Sequence, residues 1–379
     1  MLHTSDWHVG KVLRGQPRAD EHVKVLAEVV EIARAERPDL VIVAGDLYDS
    51  AAPSPESTRI VTRALSALRR HAGAVVAIAG NHDNGAALDA LRPWATAADI
   101  TVRGVLTSAD DLLVTGRTEG GERWRVAALP WVSQRHAITA AEMFDLTAAE
   151  ATGSYAGKIG DLVGALASGF DAAAVNIVTA HLTVLGGLAG GGEREAHTIQ
   201  SYAVPATVFP TSTHYVALGH LHRRQHLPGP CPVHYCGSPL AIDFGEEDNA
   251  PGVLIVEVTA DTPARVREVP ITDATPLLTV RGTLDELASF AEADAGEGWL
   301  RVYVREAPRA GLREQVQELL PRALQVSIDP DMMPAAGSTA RPAREGRSPR
   351  ELFGAYLAEA GHDDPAVATL FDELYAEVS

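Results

Sequence analysis

Short apolar runs alternate along the chain with longer stretches in which apolar residues recur every ~3–4 positions, and this alternation predicts strands and helices in turn. The strand-like runs are DLVIVAGD (39–46), AVVAIAGN (74–81), VNIVTAH (175–181), HYVALGH (214–220) and VLIVEV (253–258), rich in Val, Ile and Ala. Near-continuous apolar strands suit sheets covered on both faces. Between them, EHVKVLAEVVEIARAE reads as a helix capped by Asp20, and PESTRIVTRALSALRRHAG as a helix that stops at Gly73. The order predicts a layered α/β domain.

From about residue 101 to 170 the pattern weakens. VLTSADDLLVTGRTEGGERWRVAALP reads as meandering β-structure and ITAAEMFDLTAAEATGSYAGKIGDLVGALASG as helix, and neither carries chemistry that can be named. GGLAGGGERE, after His181, lacks the G-K-[ST] ending of a phosphate loop and reads as a mobile lid or a linker. Past Pro276 the runs LLTVRGT, LDELASFAEA, GWLRVYVRE, LREQVQELLP and LQVSID spell β-α-β-α-β, a second and smaller α/β domain. MMPAAGSTARPAREGRSPR loses periodicity, as a linker does, and exposes Arg341, Arg344, Arg347 and Arg350.

SPRELFGAYLAEAG then carries a capping box at Ser348, Pro349 and Glu351, with Gly361 as the stop; a second helix begins at Asp364 and Pro365. Leu352, Phe353, Tyr356 and Leu357 form one apolar face, and Val367, Leu370, Phe371, Leu374 and Val378 form another. Such spacing suits helices that dock in a partner's groove. The divisions predicted are a main domain over 1–270, a smaller one over 275–330, a linker over 331–347 and C-terminal helices over 348–379.

A chain of 379 residues with 46% hydrophobic and 22% charged residues has the balance of a globular protein with more than one domain. No apolar run approaches the ~18 residues of a membrane span, and no basic segment followed by an apolar one opens the chain, so a cytoplasmic protein without membrane contact is expected. The two cysteines, Cys231 and Cys236, exclude a disulfide framework, and with His234 they lack a fourth zinc ligand. A formal charge of −18 argues against a protein that coats nucleic acid unaided. It leaves room for catalysis on a phosphodiester, with cations held by carboxylates.

Four strand-like runs end in polar clusters: GDLYD (45–49), GNHDN (80–84), AHL (180–182) and GHLH (219–222). SDWH (5–8) precedes them, and its Asp6 and His8 point to one side of an extended chain. Sites in open α/β sheets assemble at the C-terminal ends of strands. Asp6, His8, Asp46, Asn81, His181, His220 and His222 would supply seven nitrogen and oxygen ligands, too many for one tetrahedral ion and suited to two ions sharing a carboxylate. Imidazole, carboxylate and amide without thiolate point to manganese ahead of iron or zinc. Gly45, Gly80 and Gly219 each precede a proposed ligand, where a turn needs positive φ or close backbone approach.

DxH, GDxxD, GNHD and GHxH in this order resemble the calcineurin-like metallophosphoesterase superfamily. LHTSDWHVGK, AGDLYDSAAPS, AGNHDN, ALGHLHRRQ and YCGSPLAIDFGEEDN narrow the resemblance to the nuclease subunits of the bacterial SbcCD complex, relatives of the double-strand-break repair nuclease. The likeness implies a layered αββα sandwich with a smaller α/β capping domain and C-terminal helices. It implies a manganese-dependent exonuclease and endonuclease that acts on double-stranded DNA ends and hairpins in repair and recombination, driven by the ATPase partner SbcC, and it allows a homodimer. It assigns one metal to Asp6, His8, Asp46 and His222, and the other to Asp46, Asn81, His181 and His220. His82 would face the scissile phosphate, and Asp49 would stand behind the ligands and orient His82 by accepting its ring proton. Fewer apolar residues precede LHTSDWH than in the family, which leaves Asp6 on a short strand and raises the expectation of a start upstream. The competing readings are a phosphoesterase of the same superfamily acting on small molecules or phosphoproteins, and a catalytically silent scaffold for SbcC.

Overall fold

The computed structural model describes residues 1–133, 154–193, 202–293 and 298–332, together with residues 353, 354, 356, 357, 367 and 369–371 of the tail. In chain order its elements begin with β1 (Leu2–Thr4), a ribbon of β2 (Val12–Leu13) and β3 (Gln16–Pro17), α1 (Ala19–Glu36), β4 (Val41–Val43), α2 (Pro55–His71) and β5 (Val75–Ile78). Next come α3 (Gly85–Asp89), α4 (Arg92–Ala97), β6 (Thr101–Arg103), α5 (Ala109–Leu112), β7 (Leu113–Arg117), β8 (Arg123–Leu129), α6 (Tyr155–Ala167), β9 (Val175–His181) and β10 (Tyr215–Gly219). The series continues with β11 (Gln225–Leu227), β12 (Val233–Tyr235), β13 (Gly252–Thr259), β14 (Thr262–Pro270), β15 (Leu277–Gly282), α7 (Leu284–Glu292), β16 (Trp299–Val304), α8 (Leu312–Leu319) and β17 (Ala323–Ile328).

Two six-stranded sheets carry the fold, ordered β14-β13-β1-β4-β5-β6 and β11-β12-β10-β9-β8-β7. β1, β4, β5 and β6 run parallel in the first; β8, β9, β10 and β12 do so in the second. The period of two in a strand explains the layers. Leu40, Ile42 and Ala44 face the second sheet, where they meet Val126, Ile177, Tyr215 and Ala217. Val41 and Val43 face the other way, onto Val25, Val29, Val61 and Leu65 of α1 and α2. On the far side, Val178, Val216 and Leu218 cover Ile159, Leu162 and Leu166 of α6. Strands buried on both faces are therefore sandwiched between helices, in the order α-β-β-α.

The short first strand is anchored from both sides. Leu2 pairs with Val41 on one flank and with Ile255 on the other, and the Met1 ammonium donates to the Val256 carbonyl at 2.9 Å. Asp6 is fully buried beyond it, so three residues of strand suffice to hold it. The cap assigned to Asp20 is corrected: α1 starts one residue before it, Arg18 stands at the N-cap position without capping, and Asp20 sits in the first turn, where the helix dipole favours a carboxylate. Arg18 is instead buried, held by Glu21 at 2.6 and 2.7 Å and by the Ala241 carbonyl at 2.9 Å.

The β-α-β-α-β segment forms its own sheet, β15-β16-β17, with β15 and β16 parallel. Apart from Arg305–Ala307 and Ile328, it lies in the same compact unit as the two large sheets, which spans Met1–Val304 and Pro308–Ser327. Trp299 donates to Glu21 at 3.0 Å, and Leu277, Trp299 and Leu324 pack with Leu13, Ala241 and Phe244. A second unit holds Arg305–Ala307 and Ile328–Ser379. Within it, Arg305 reaches the buried Asp329 at 3.2 Å, and the Phe353 ring stacks on Phe371 with centroids 4.1 Å apart. The caps expected at Ser348, Pro349, Glu351, Gly361, Asp364 and Pro365, the apolar positions Leu352, Leu374 and Val378, and the arginine-rich linker past Met332 lie outside the described residues, as does 134–153 of the weak region.

Ile42 is fully buried between the sheets, so Ile42→Ala should cost about 2–5 kcal/mol and Ile42→Val about 0.5–1.5. Both should appear in denaturant titration as a lower midpoint with unchanged slope.

Candidate metal centre

The strands that run parallel all end at one edge, and that edge carries the polar clusters. Asp6 and His8 follow β1, Asp46 follows β4, Asn81 and His82 follow β5, His181 closes β9, and His220 and His222 follow β10. The sheets approach so closely there that a side chain would not fit. A Cβ on Gly219 would lie 2.1 Å from the Ala44 carbonyl oxygen, and one on Gly45 would lie 2.3 Å from Nδ1 of His181. Close approach is the common requirement at Gly45, Gly80 and Gly219; of the three, only Gly45 has positive φ. The positive φ angles fall instead on the site residues themselves: Asp6 (54°), His8 (47°), Asp46 (51°) and His220 (104°). Non-glycine residues there are strained, and such residues concentrate at functional sites.

What holds the strain is a backbone ladder that continues the β1–β4 pairing beyond the strands. The amides of Asp6, His8 and Val9 donate to the carbonyls of Gly45, Asp46 and Leu47, each at 3.0 Å. Asp83, not singled out in the sequence, fastens the next loop. Its carboxylate accepts from the amides of Gly80 at 2.8 Å, Tyr48 at 2.9 Å and Leu47 at 3.2 Å. Burial first, and then the charge of Asp46, push its pKa up to about 7.

Asp46 is the point on which the loops converge. Its carboxylate accepts the His82 amide at 2.8 Å, and its Oδ2 lies 3.3 Å from Nε2 of His181 and 3.6 Å from Nε2 of His8. Asn81 Oδ1 lies 2.9 Å from Nε2 of His181 and 2.8 Å from Nδ1 of His220. Asp6 accepts the His220 amide at 3.0 Å and lies 4.0 Å from Nε2 of His222, whose Nε2 is 3.0 Å from that of His8. All seven residues proposed as ligands are thus brought together.

The donor chemistry fits a cation. Nδ1 of His181 donates to the Ala44 carbonyl at 2.8 Å, so in the neutral ring Nε2 carries a lone pair directed at two oxygen acceptors. With protons as the only positive charges, burial lowers the pKa of His181 but the charge and hydrogen bond of Asp46 outweigh it and raise it to about 9. At His222, burial is likewise outweighed by Glu246, and the pKa rises to about 10. Buried carboxylates and imidazoles of this density are found paired or around metal. Among the described residues, three sets of ligand atoms lie mutually within 4.8 Å: Asp6, His8 and His222; Asp6, Asp46 and His181; and His8, Asp49 and His82.

Several supporting residues are not among the site residues singled out in the sequence. Glu246, within GEEDN, accepts from Nδ1 of His222 at 2.6 Å and from the Ile242 amide at 2.9 Å. Glu193 accepts from the His222 amide at 2.8 Å and from the amides of Gly190 and Gly191. The glycine-rich loop expected to be a lid or linker is therefore packed down through residue 193: a Cβ on Gly192 would lie 1.8 Å from Glu246 Oε1. Arg194 and Glu195, its last residues, lie outside the described residues. The segment around residue 130, expected to carry no chemistry, supplies Trp131, whose ring stacks on Tyr202 and lies 5.5 Å from the His220 ring and 6.2 Å from that of His181. His82 is oriented by Asp49, but through the main chain: its Nδ1 donates to the Asp49 carbonyl at 2.8 Å. Both cysteines are free, and Cys236 is buried against Ser5 at 3.0 Å.

Comparison with known proteins agrees with this arrangement. Residues 1–224 match the family described as calcineurin-like phosphoesterase. The chain is 32% identical over 320 residues to the D subunit of the nuclease SbcCD of Bacillus subtilis, an alignment covering 83% of this chain and 81% of that one. The protein of the same name from Rhodobacter capsulatus is 34% identical over 73% of this chain and 70% of its own. For Escherichia coli the identity is 29%, over 77% and 73%. The chain therefore belongs to the calcineurin-like phosphoesterase family, as a hydrolytic phosphodiesterase of the type found in SbcCD nucleases.

Proposed function

We propose that this phosphodiesterase is the nuclease subunit of an ATP-driven complex with an SbcC-type ATPase, and that it cleaves double-stranded DNA ends and hairpins with two manganese ions. The observation that carries the reading is the convergence on Asp46: its Oδ2 stands between Nε2 of His8 and Nε2 of His181, one from each proposed ligand set. One ion would be held by Asp6, His8, Asp46 and His222, the other by Asp46, Asn81, His181 and His220. Bound there, the two cations would neutralise phosphate charge and make a water acidic enough to attack near neutral pH. Oxygen and nitrogen ligands without thiolate favour manganese.

The chain's own residues do the rest. Glu246 and Glu193 fix the ring and backbone of His222, and the Ala44 carbonyl fixes the tautomer of His181. His82 has Nδ1 committed to the Asp49 carbonyl, so Nε2 is the atom that meets the phosphate. As an imidazolium it steadies the developing charge and passes a proton to the leaving oxygen. A net charge of −18 makes the grip on duplex DNA the partner's task. The tail segment over 348–379 serves as the docking element for SbcC.

Asp46→Ala should abolish hydrolysis and release both metal ions together, as measured by elemental analysis of the dialysed protein. One ion retained at normal affinity would contradict the shared carboxylate. His82→Ala should keep both ions and lose ~10²–10⁴-fold in turnover; a parallel fall in metal content would make it a ligand. Deleting residues 348–379 should leave manganese binding intact and abolish co-purification with SbcC, whereas complex formation at unchanged affinity would remove the tail from the interface.

A further inference from the structure

Asp49 stands where the first two ligand motifs meet, and it touches both of the histidines that flank Asp46 on this side. Its carbonyl holds Nδ1 of His82. Its carboxylate Oδ1 lies 3.8 Å from Nδ1 of His8 and 3.4 Å from Nζ of Lys11. The two histidine rings are edge-on to each other, with centroids 4.6 Å apart. The arrangement is set by main chain: the Lys11 amide donates to the His8 carbonyl at 3.1 Å, and the Asp49 amide to the Val9 carbonyl at 3.2 Å. Residues 11 and 49 are thereby carried side by side.

Nδ1 of His8 and Oδ1 of Asp49 are both buried, and neither has a hydrogen-bond partner. A nitrogen and a carboxylate oxygen in that situation call for one shared proton or one shared cation. The cation is the sharper alternative, because His8, Asp49 and His82 offer three ligand atoms within 4.8 Å of one another. Lys11 decides against it. Its ammonium already neighbours the same oxygen, with only 22% of the side chain exposed, and a divalent ion placed there would be repelled by it. A partly exposed lysine pair contributes little to stability, so its effect is sought in orientation.

We propose that Lys11 is a positioning residue for the metal centre: its ammonium keeps the Asp49 carboxylate 3.8 Å from Nδ1 of His8, where its negative charge favours the proton on that nitrogen and leaves Nε2 to turn inward, while the Asp49 carbonyl orients His82. One residue then aligns a metal ligand with its side chain and the proton donor with its main chain. A carboxylate behind a ligand histidine commonly sets its tautomer and raises its basicity. The inference rests on the metal-site reading above.

The test uses the full chain stripped of metal, with manganese binding by calorimetry, nitrogen NMR of the His8 ring, and hydrolysis of bis(p-nitrophenyl) phosphate, a diester without bases. Asp49→Asn, which keeps the carbonyl, should weaken manganese binding by ~10–100-fold. Lys11→Met should weaken it in the same direction and shift the His8 ring away from the Nδ1–H tautomer. The double variant should bind no more weakly than Asp49→Asn alone, because the two residues act in series. Lys11→Arg, which restores the charge, should recover most of the affinity. Additive losses, an unmoved His8 tautomer in Lys11→Met, or a third manganese ion in the titration would each overturn the proposal. No DNA enters these readouts, so a chain that fails on duplex ends while keeping the Lys11 effect overturns the DNA reading and upholds this one.

Discussion

The Asp46 carboxylate is buried to 1% exposure at the seam between two sheets, and a buried carboxylate survives only where positive or donating groups surround it. Its partners come from elements far apart in sequence: the His82 amide and the rings of His8 and His181. Even an absent atom is part of the arrangement, since a Cβ at Gly80 would lie 2.1 Å from Oδ1 of Asp46. In the loops gathered here, Asp6, His8, Asp46 and His220 have positive φ, at a cost on the order of 1–3 kcal/mol each. The ladder between residues 6–9 and 45–49, and the three amides gathered by Asp83, are the structures that offset it.

The sandwich exists in the form that makes this possible. Parallel strands share a direction, so β1, β4, β5, β9 and β10 deliver their following loops to one edge. Face-to-face packing of Ile42, Ile177 and Ala217 sets the distance between sheets, and glycines at the seam let them close. The residues proposed as ligands therefore come from both sheets, with Asp6, Asp46 and Asn81 on one side and His181 and His220 on the other. Any change that widens the gap separates the two halves of the centre.

The layered fold and the clustering of the seven residues proposed as ligands are legible in the sequence because both are written in local patterns. Runs such as DLVIVAGD combine a two-sided apolar strand with a glycine and a carboxylate at its end, and their repetition is informative. The supports are not local. The Asp49 carbonyl that holds His82 has no side-chain signature, since every residue has a carbonyl. Glu193 and Glu246 reach His222 across 29 and 24 residues, the first from a loop that reads as a lid or linker. Trp131 lies where periodicity is weakest. Asp20 reads as a cap because residue type alone suggests one, yet the buried Arg18–Glu21 pair sets the start of α1.

The central claim is that buried carboxylates and imidazoles converge on Asp46 in order to hold two divalent cations. It is tested most directly by counting manganese ions bound per chain in the wild-type protein, by calorimetry together with electron paramagnetic resonance. The account predicts two ions with the magnetic coupling of a shared carboxylate, and release of protons from His181 and His222 as they bind. A chain that binds no manganese, and keeps both of those rings protonated at neutral pH in its presence, would contradict it.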